Sequence, residues 1–189
     1  MPRKPTLTPA RQKKCKACKE SFKPFSSTAS ACSVNCAITL AKVQTSKAIA
    51  KDFKQRRQAA KTLGQLHKEA QPVFNRYIRL RDQGQPCISC QRHHTGQIHA
   101  GHYRSVGAAA ELRYNENNVH AQCAPCNNHL SGNAIDYRIN LINKIGIEQV
   151  ELLEGPQEPK RYRRDDIIAI KAKYKAKAKE LTIRLEGAA

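Results

Sequence analysis

The sequence predicts an α+β fold that is mostly helical, and three observations lead to this prediction. Long segments rich in Ala, Lys, Gln and Arg contain few Gly or Pro residues, which favours helices. Two short segments between the third and fourth cysteine pairs have the pattern of strands. All eight cysteines fall into four close pairs, with none left over. The 189 residues are enough for one modest domain or two small ones.

The formal net charge of +19 implies an anionic partner, because so basic a surface repels itself. Nucleic acid is the usual partner, and an anionic membrane surface is the alternative. Residues 1–70 contain 16 Lys and Arg against 3 Asp and Glu, whereas residues 71–189 contain 18 against 12. No run of 18 apolar residues and no secretory signal are found, so the sequence predicts a cytoplasmic protein. In that compartment, cysteines indicate thiolate metal ligands rather than disulfides.

At the amino terminus, the sequence predicts a disordered basic tail over residues 1–11. A zinc module is predicted to follow over residues 12–37. Two close cysteine pairs, thirteen residues apart, have the spacing of a structural zinc site. The predicted ligands are Cys15, Cys18, Cys32 and Cys36. A module of this size cannot bury a real core, so the metal would supply much of its folding free energy.

Residues 38–84 predict a basic helical linker. From Ser33 to about Lys61 the chain has no Gly or Pro, and its apolar residues recur too sparsely for a coiled coil. A second helix is predicted from Leu66 to Arg81. Two interpretations of the basic residues stay open, namely a solvated face and a helix that lies along DNA phosphates. The candidate DNA-binding residues here are Lys51, Lys54, Arg56 and Arg57.

Residues 85–135 are predicted to form a small module with the order strand, loop, strand, helix. Ile98 to His102 suits a strand that ends in a tight turn, and Asn118 to Gln122 suits a second strand. A second zinc would hold one end of this module. Its predicted ligands are Cys87, Cys90, Cys123 and Cys126. Residues 136–189 predict further helices, the last of which begins near Asp165 because carboxylates favour a helix N-terminus.

Between and just after these cysteines, the chain resembles the HNH endonucleases, whose core is the ββα-metal fold. In that family a His at the end of the first strand is the general base, and an Asn just before the second strand orients it. A His or Asn in the helix binds a catalytic divalent cation. The resemblance implies that His102 is the base and Asn118 the orienting residue. It also implies that Asn127 binds the metal, with His129 as a second candidate.

The resemblance narrows over four stretches to the NinG/Rap recombination endonucleases of lambdoid phages. The stretches are Pro86–Cys90, Ala100–Arg104, Leu112–Glu116 and Cys126–Asn133. The likeness covers most of the chain and is best in residues 86–145. It implies a structure-specific endonuclease that acts on branched recombination intermediates, such as D-loops and Holliday junctions, in the cytoplasm of the phage's host.

The chemistry of these residue types agrees with such a role. A neutral imidazole can take a proton from water near neutral pH, and one Mg²⁺ or Mn²⁺ can stabilise the leaving 3′ oxygen. The sequence departs from the HNH pattern at Gly101, where many members place an Asp metal ligand. Either His99 substitutes for that Asp, or DNA phosphate oxygens and water complete the coordination. Arg104 and Arg113 flank the site as candidate phosphate contacts, with plain surface placement as the alternative.

The sequence thus predicts a metal-dependent endodeoxyribonuclease with two structural Zn²⁺ ions and a catalytic Mg²⁺ or Mn²⁺. The alternative is a non-catalytic zinc-containing DNA-binding protein, either a recombination accessory factor or a transcription regulator. Branched DNA is the expected partner, and no membrane partner is expected. A nuclease that cuts two strands symmetrically is expected to be a homodimer, although no segment identifies a dimer interface. Recombination proteins of the host or phage are further candidate partners.

Overall fold

The computed structural model describes residues 12–187, which belong to two compact units that divide between Lys61 and Thr62. The predicted tail over residues 1–11 lies outside the described residues. Five α-helices and two two-stranded antiparallel sheets in the described chain make it a mixed and mostly helical protein, as the sequence predicts. None of the described helices has the length and apolarity needed to cross a membrane.

The first unit consists of a small cysteine knuckle followed by one long helix. Strand β1 (Lys13–Lys14) pairs with β2 (Ser21–Phe22) around the buried Cys15. Helix α1 (Val34–Ala59) begins after Ser33, whose hydroxyl accepts a hydrogen bond from the Cys36 backbone N–H at 3.2 Å. No residue of α1 is buried. Its stability therefore rests on helix propensity and capping rather than on packing.

The core of the second unit forms between its longest helices. Helix α2 (Leu63–Arg81) starts with a capping box, in which the side chains of Thr62 and Gln65 each accept from the other's backbone N–H. Its apolar face packs against α5 (Arg164–Glu186). The buried side chains of the two helices are Leu66, Ala70, Phe74, Tyr77, Ile78, Ile167, Tyr174 and Ala178. The Phe74 and Tyr174 rings meet edge to face with centroids 4.7 Å apart, a favourable geometry for aromatic pairs.

A two-stranded hairpin lies against this helical core. Strand β3 (Ile98–His102) pairs antiparallel with the fully buried β4 (Val119–Cys123), and His102 lies opposite Val119. Because side chains alternate along a strand, each face receives a different set. Ala100 and Val119 pack into the core of α2 and α5. The opposite face receives His99, Gly101, His120 and Gln122.

Two shorter helices follow the hairpin and form a second apolar cluster. A single π-helical turn (Pro125–His129) leads from β4 to α3 (Ala134–Ile145), and α4 (Ile147–Glu154) follows after Gly146. Gly146 has φ +86°, a conformation that favours glycine. The buried members of the cluster are Ile88, Ala109, Leu112, Tyr137, Leu141, Val150 and Leu153.

The helices and strands begin and end close to the residues expected from the sequence. The division of the chain into units differs from the expected one. The interval 38–84 contains most of α1 together with α2, and the division between the units falls between these helices. Helix α2 contributes its apolar face to the core of the second unit. In addition, the second strand begins at Val119, because Asn118 ends a 3₁₀ turn (Glu116–Asn118).

The buried carboxylate of Asp82 joins α2 to β4 and α3. Arg81 donates to both carboxylate oxygens at 2.8 Å, and the Ala121 backbone N–H donates to Oδ2 at 2.9 Å. Lys144 of α3 places Nζ 3.6 Å from Oδ1. Burial raises the pKa of Asp82, but His120, whose Nδ1 is 3.7 Å from Oδ2, and Arg81 together hold that pKa well below its usual range. The carboxylate is therefore ionised at neutral pH.

We expect Asp82→Ala to lower the free energy of unfolding by about 3–5 kcal/mol at pH 7, because it leaves buried positive charge uncompensated. Urea denaturation measures the change. The loss should shrink as pH falls below about 4, because the wild-type carboxylate, whose pKa is lower in the folded than in the unfolded chain, then loses its stabilising contribution. The exposed Asp165 of the same unit supplies a control, and Asp165→Ala should cost less than about 1 kcal/mol. Equal losses for the two variants would contradict the assigned role of Asp82.

Candidate functional site

The second cysteine quartet lies at the base of the hairpin. Its four sulfur atoms lie within 4.8 Å of one another, and three of the four residues are buried. Its members are Cys87, Cys90, Cys123 and Cys126. The Cys123 backbone N–H donates to Sγ of Cys87 at 3.3 Å. The exposed His94 places Nε2 3.2 Å from Sγ of Cys90. The quartet has the donor set of a structural zinc site.

The four cysteines of the first unit also lie close together. Sulfur atoms of Cys15, Cys18, Cys32 and Cys36 also lie within 4.8 Å of one another. Backbone N–H groups, chiefly that of Cys18, lower the pKa of the Cys15 thiol to about 6 despite the opposing effect of burial. Hydrogen bonds from the Cys18, Cys36 and Cys15 side chains raise the pKa of Cys32 to about 12, so Cys15 ionises more readily than Cys32 to the thiolate form that zinc binds. Each quartet could therefore hold one structural zinc.

His102 ends β3 with one ring nitrogen already engaged. Its Nε2 lies 3.0 Å from the backbone carbonyl oxygen of Arg113. A carbonyl can only accept, so the neutral ring donates Nε2–H and leaves the lone pair on Nδ1. Burial lowers the pKa of His102, the Arg113 carbonyl raises it, and the Arg113 charge lowers it again, with a net shift below 6.5. The imidazole is therefore neutral at pH 7 and has one nitrogen available as a base.

Asn118 fixes the loop that holds His102, rather than touching the imidazole itself. Its fully buried amide accepts from the Arg104 backbone N–H at 2.8 Å and donates to the carbonyls of Arg104 and Leu112 at 3.0 and 3.3 Å. Leu112 directly precedes Arg113, whose carbonyl binds the His102 ring. The resemblance implies that Asn118 orients the base. In the structure, its hydrogen bonds reach the base only through the loop backbone.

Of the three candidate metal ligands, Asn127 and His99 are in contact, and His129 lies apart from them. Asn127, in the π-helical turn, places Nδ2 3.2 Å from Nδ1 of His99. His129 is exposed at the end of that turn. His99 and His102 are three residues apart on β3 and so point to opposite faces, about 10 Å apart along the strand. The structure therefore brings His99 and Asn127 together and separates them from the candidate base.

Beside His99 and Asn127 there is an open cleft of about 420 Å³. The outer edge of β3 forms one side, through Gln97 to Ala100, and α2 contributes Asn75 and Arg79. The Arg79 side chain is exposed. An arginine and amide groups are donors that suit a phosphate oxygen.

Gly101 has no space for a side chain, because Gln122 occupies it. A Cβ at position 101 would lie 2.9 Å from Cβ of Gln122 and closer still to Oε1. Gln122 is fully buried and donates Nε2–H to Ser89 Oγ at 2.7 Å and to the Gly132 carbonyl at 2.6 Å. Its Oε1 has no hydrogen-bond partner. Nothing in the sequence pattern indicated this residue, since an isolated glutamine in a strand has no motif around it.

The two flanking arginines bind other parts of the protein. Arg104 donates to the Glu154 carbonyl at 3.2 Å. Arg113 donates Nε–H to Oε1 of Gln71 at 2.8 Å, and its guanidinium lies over the Tyr114 ring at 5.9 Å. Both side chains are partly buried by these contacts. Their positive charges remain near the loop, but a phosphate would have to compete with existing partners.

The four candidate DNA-binding residues of α1 differ from these arginines because they all lie on a free helix surface. They are Lys51, Lys54, Arg56 and Arg57, and each is exposed. Arg56 forms an ion pair with Asp52 one turn earlier, at 2.9 Å. Exposed pairs of this kind contribute little to stability and exchange readily for another anion.

Comparison with known proteins places the chain among phage proteins. A family model described as bacteriophage Lambda NinG protein matches residues 7–184. The chain is 40% identical over 191 residues to protein ninG of Escherichia phage 933W, which covers 92% of this chain and 94% of the relative. It is 44% identical over 129 residues to protein ninG of Escherichia phage lambda, which covers 68% and 63%. No solved structure matches the chain.

We expect zinc-replete protein to contain one zinc for each of the two quartets, and Cys18→Ser or Cys126→Ser to remove one of them. Elemental analysis of the purified chain measures the stoichiometry. Each variant is the other's control, since the untouched quartet should keep its metal. Cys126→Ser should also lower the Tm of the second unit, because its metal links β4 to the turn that follows. A wild-type chain that retains fewer than two zinc ions would contradict the assignment.

Proposed function

Because the chain belongs to the NinG family of lambdoid phage proteins, we propose that it is a structure-specific endonuclease of the HNH type. Its proposed substrates are branched recombination intermediates such as D-loops and Holliday junctions, in which it hydrolyses phosphodiester bonds. The observation that supports this most directly is His102, a partly buried neutral imidazole at a strand end whose Nδ1 is not held by the Arg113 carbonyl. Such a group is suited to accept a proton from water.

The proposed reaction uses His102 Nδ1 as the general base. The Arg113 carbonyl holds the opposite nitrogen, so the ring keeps one tautomer and one orientation. As water attacks phosphorus, its proton passes to Nδ1, the imidazole becomes a cation, and the P–O3′ bond breaks. The released 3′ oxygen takes a proton from solvent. Asn118 is a positioning residue, because its three hydrogen bonds to Arg104 and Leu112 fix the loop that contains the Arg113 carbonyl.

The donor set between β3 and the π-helical turn fits a divalent cation. His99 and Asn127 would hold it, and His129 lies exposed at the end of the same turn. The Asn127 amide nitrogen faces Nδ1 of His99, and the buried Nε2 of the same ring has no hydrogen-bond partner. When bound there, Mg²⁺ or Mn²⁺ would supply positive charge to DNA phosphate oxygens on the His99 face of the hairpin, about 10 Å along β3 from His102.

The basic first unit is proposed to bind DNA phosphates. The exposed Lys51, Lys54, Arg56 and Arg57 of α1 can bind backbone phosphates without reading sequence. This agrees with recognition of branch shape rather than of bases. We propose a homodimer as the working assembly, because symmetric cutting of two strands needs two active sites. Host or phage recombination proteins are proposed as further partners.

The second candidate function is a non-catalytic zinc protein that binds DNA as a recombination accessory factor or transcription regulator. One observation favours it. In residues 12–187, the groups of three or more clustered His, Cys, Asp or Glu ligands are the two cysteine quartets, so no such cluster contains His102. This function predicts DNA binding without cleavage in either Mg²⁺ or Mn²⁺.

We expect His102→Ala to reduce cleavage of a synthetic four-way junction or D-loop by about 10²- to 10⁴-fold, because the general base is removed. A gel assay of cut strands in Mg²⁺ or Mn²⁺ measures the rate, and a mobility-shift assay should find DNA binding unchanged. His93→Ala, at an exposed histidine in a loop, is the matched control and should cut normally. Cleavage by His102→Ala at the wild-type rate would overturn the base assignment.

The pKa of His102 also predicts how cleavage responds to pH. The base acts in its neutral form, and its pKa lies below the ordinary 6.5. We therefore expect kcat/KM to be level from pH 6.5 to 8 and to fall about tenfold per unit once the pH is below the His102 pKa. Single-turnover cleavage over this range measures the profile, with circular dichroism to confirm folding. An inflection above pH 6.5 would contradict the buried environment assigned to His102.

A further inference from the structure

Three basic residues on the outer face of α2 are exposed and have no partner within residues 12–187. They are Lys68, Arg76 and Arg79, whose side chains form neither ion pairs nor hydrogen bonds there. Their spacing of eight and three residues places them on one side of the helix. Arg81, by contrast, donates to both carboxylate oxygens of Asp82 at 2.8 Å. The outer face of α2 therefore carries positive charge that is available to an anion from solvent.

Arg79 lines the open cleft of about 420 Å³ between α2 and the outer edge of β3. The polar side chains around this cleft carry amide, imidazole and guanidinium groups, and among the described residues that line it none has a carboxylate. The lining residues are Asn75, Arg79, Gln97, Ile98, His99, Ala100 and Asn127. A cleft with one positive charge, several amides and no negative charge suits an anion.

The amide of Asn75 gives this cleft a donor whose identity is fixed by its neighbours. Arg113 donates Nε–H to one end of the Gln71 amide at 2.8 Å, and that end must be the oxygen because a guanidinium only donates. The nitrogen of Gln71 then donates to Oδ1 of Asn75 at 2.8 Å. Nδ2 of Asn75 has no partner among the described residues, so its two N–H groups can donate to an acceptor in the cleft.

The backbone of β3 turns further donors toward the same cleft. This strand is paired on one side only, with β4. The Gln97 carbonyl accepts from the Ala124 N–H at 3.1 Å. The Tyr103 N–H donates to the Asn118 carbonyl at 2.8 Å, so the odd-numbered residues bond across to β4. In an antiparallel pair, the residues between these turn their N–H groups to the other side, and Ala100 therefore presents its N–H at the outer edge.

We propose that this cleft binds a backbone phosphate of DNA, with Arg79 and Asn75 donating to its oxygens. Ile98 to Ala100 lie two to four residues before His102, about 7–14 Å along the strand. One strand of duplex DNA rises about 3.4 Å per nucleotide, so the bound phosphate lies about two to four nucleotides from the one beside His102. Only the choice of DNA as the partner rests on the proposed function.

Binding of a fluorescein-labelled four-way junction to the full-length, zinc-loaded chain tests this site. Fluorescence anisotropy without added Mg²⁺ or Mn²⁺ measures Kd over a series of KCl concentrations. Arg79→Ala should raise Kd about tenfold and reduce the slope of log Kd against log salt concentration by about 0.9, because one phosphate contact is lost. Arg79→Lys keeps the charge, so it should keep the slope while losing part of the affinity.

Variants of Asn75 separate a contact inside the cleft from a general effect of charge. Asn75→Ala should raise Kd about fivefold with the salt slope unchanged, since a neutral donor releases no counterion. Asn75→Asp keeps the side-chain size but places a negative charge in the cleft, so it should weaken binding more than Asn75→Ala. The control Arg92→Ala removes an exposed arginine outside the cleft and should change Kd by less than about twofold. Circular dichroism confirms that each variant is folded.

Neutral phosphates in the DNA locate the contact. A methylphosphonate, introduced at one position at a time around the branch, removes a single negative charge. The position that faces the cleft should weaken wild-type binding about tenfold but add little to the loss in Arg79→Ala, because both changes remove the same contact. If the wild type cuts the junction, that position should lie about two to four nucleotides from the cleaved bond.

Three results would overturn the assignment of this cleft. The first is a wild-type chain that does not bind the junction. The second is an equal Kd and salt slope for Arg79→Ala and Arg92→Ala, as expected if Arg79 adds only to the overall charge. The third is a set of methylphosphonates that all weaken the wild type and Arg79→Ala alike.

Failure of the cleft and failure of the nuclease proposal are distinguishable. A chain that cuts nothing in Mg²⁺ or Mn²⁺ but shows the expected losses in Arg79→Ala keeps the phosphate site and loses the nuclease. A chain whose cleavage needs His102, but whose Arg79→Ala variant binds the junction with the wild-type Kd, keeps the nuclease and loses the phosphate site.

Discussion

The ion network at Asp82 is the interaction on which the second unit depends. One carboxylate binds the last turn of α2 through Arg81, the middle of β4 through the Ala121 N–H, and α3 through Lys144. A buried charge of this kind is costly unless every partner is in place, so it favours a single arrangement of the three elements. Cys87 follows five residues later. The network therefore also sets where the second cysteine quartet begins relative to the hairpin.

The hairpin then divides the chemistry between its two faces. His102 follows the alternation of Ala100 and Val119 toward the core of α2 and α5, where burial keeps the imidazole neutral. His99 and Gln122 lie on the face toward the Gly132 loop and the zinc knuckle. His102 and His99 thus lie on opposite faces of one strand, three residues apart.

The features that the sequence predicts correctly are those that depend on local sequence patterns. Helix limits follow propensity and caps, as at Ser33 and Thr62, and cysteine spacing is enough to pair both knuckles because zinc demands four close thiolates. Local patterns do not predict contacts between residues that are distant in the chain. Asn118 was expected to orient the imidazole, but it reaches His102 only through the backbone between Leu112 and Arg113, and its position depends on how the loop folds back. Gln122 over Gly101 needs the strand register, which brings together residues far apart in the chain.

Helix α1 is unusual in having no buried residue along its 26 positions. An element without a packed face can change length without disturbing a core. Each turn added or deleted in the middle of α1 moves its end by about 5.4 Å and leaves the first cysteine quartet unchanged. Helix α1 is about 39 Å long at 1.5 Å per residue. The number of residues alone therefore sets the distance between its two ends. Insertions and deletions should accumulate in this segment sooner than in α2, whose every turn meets the core.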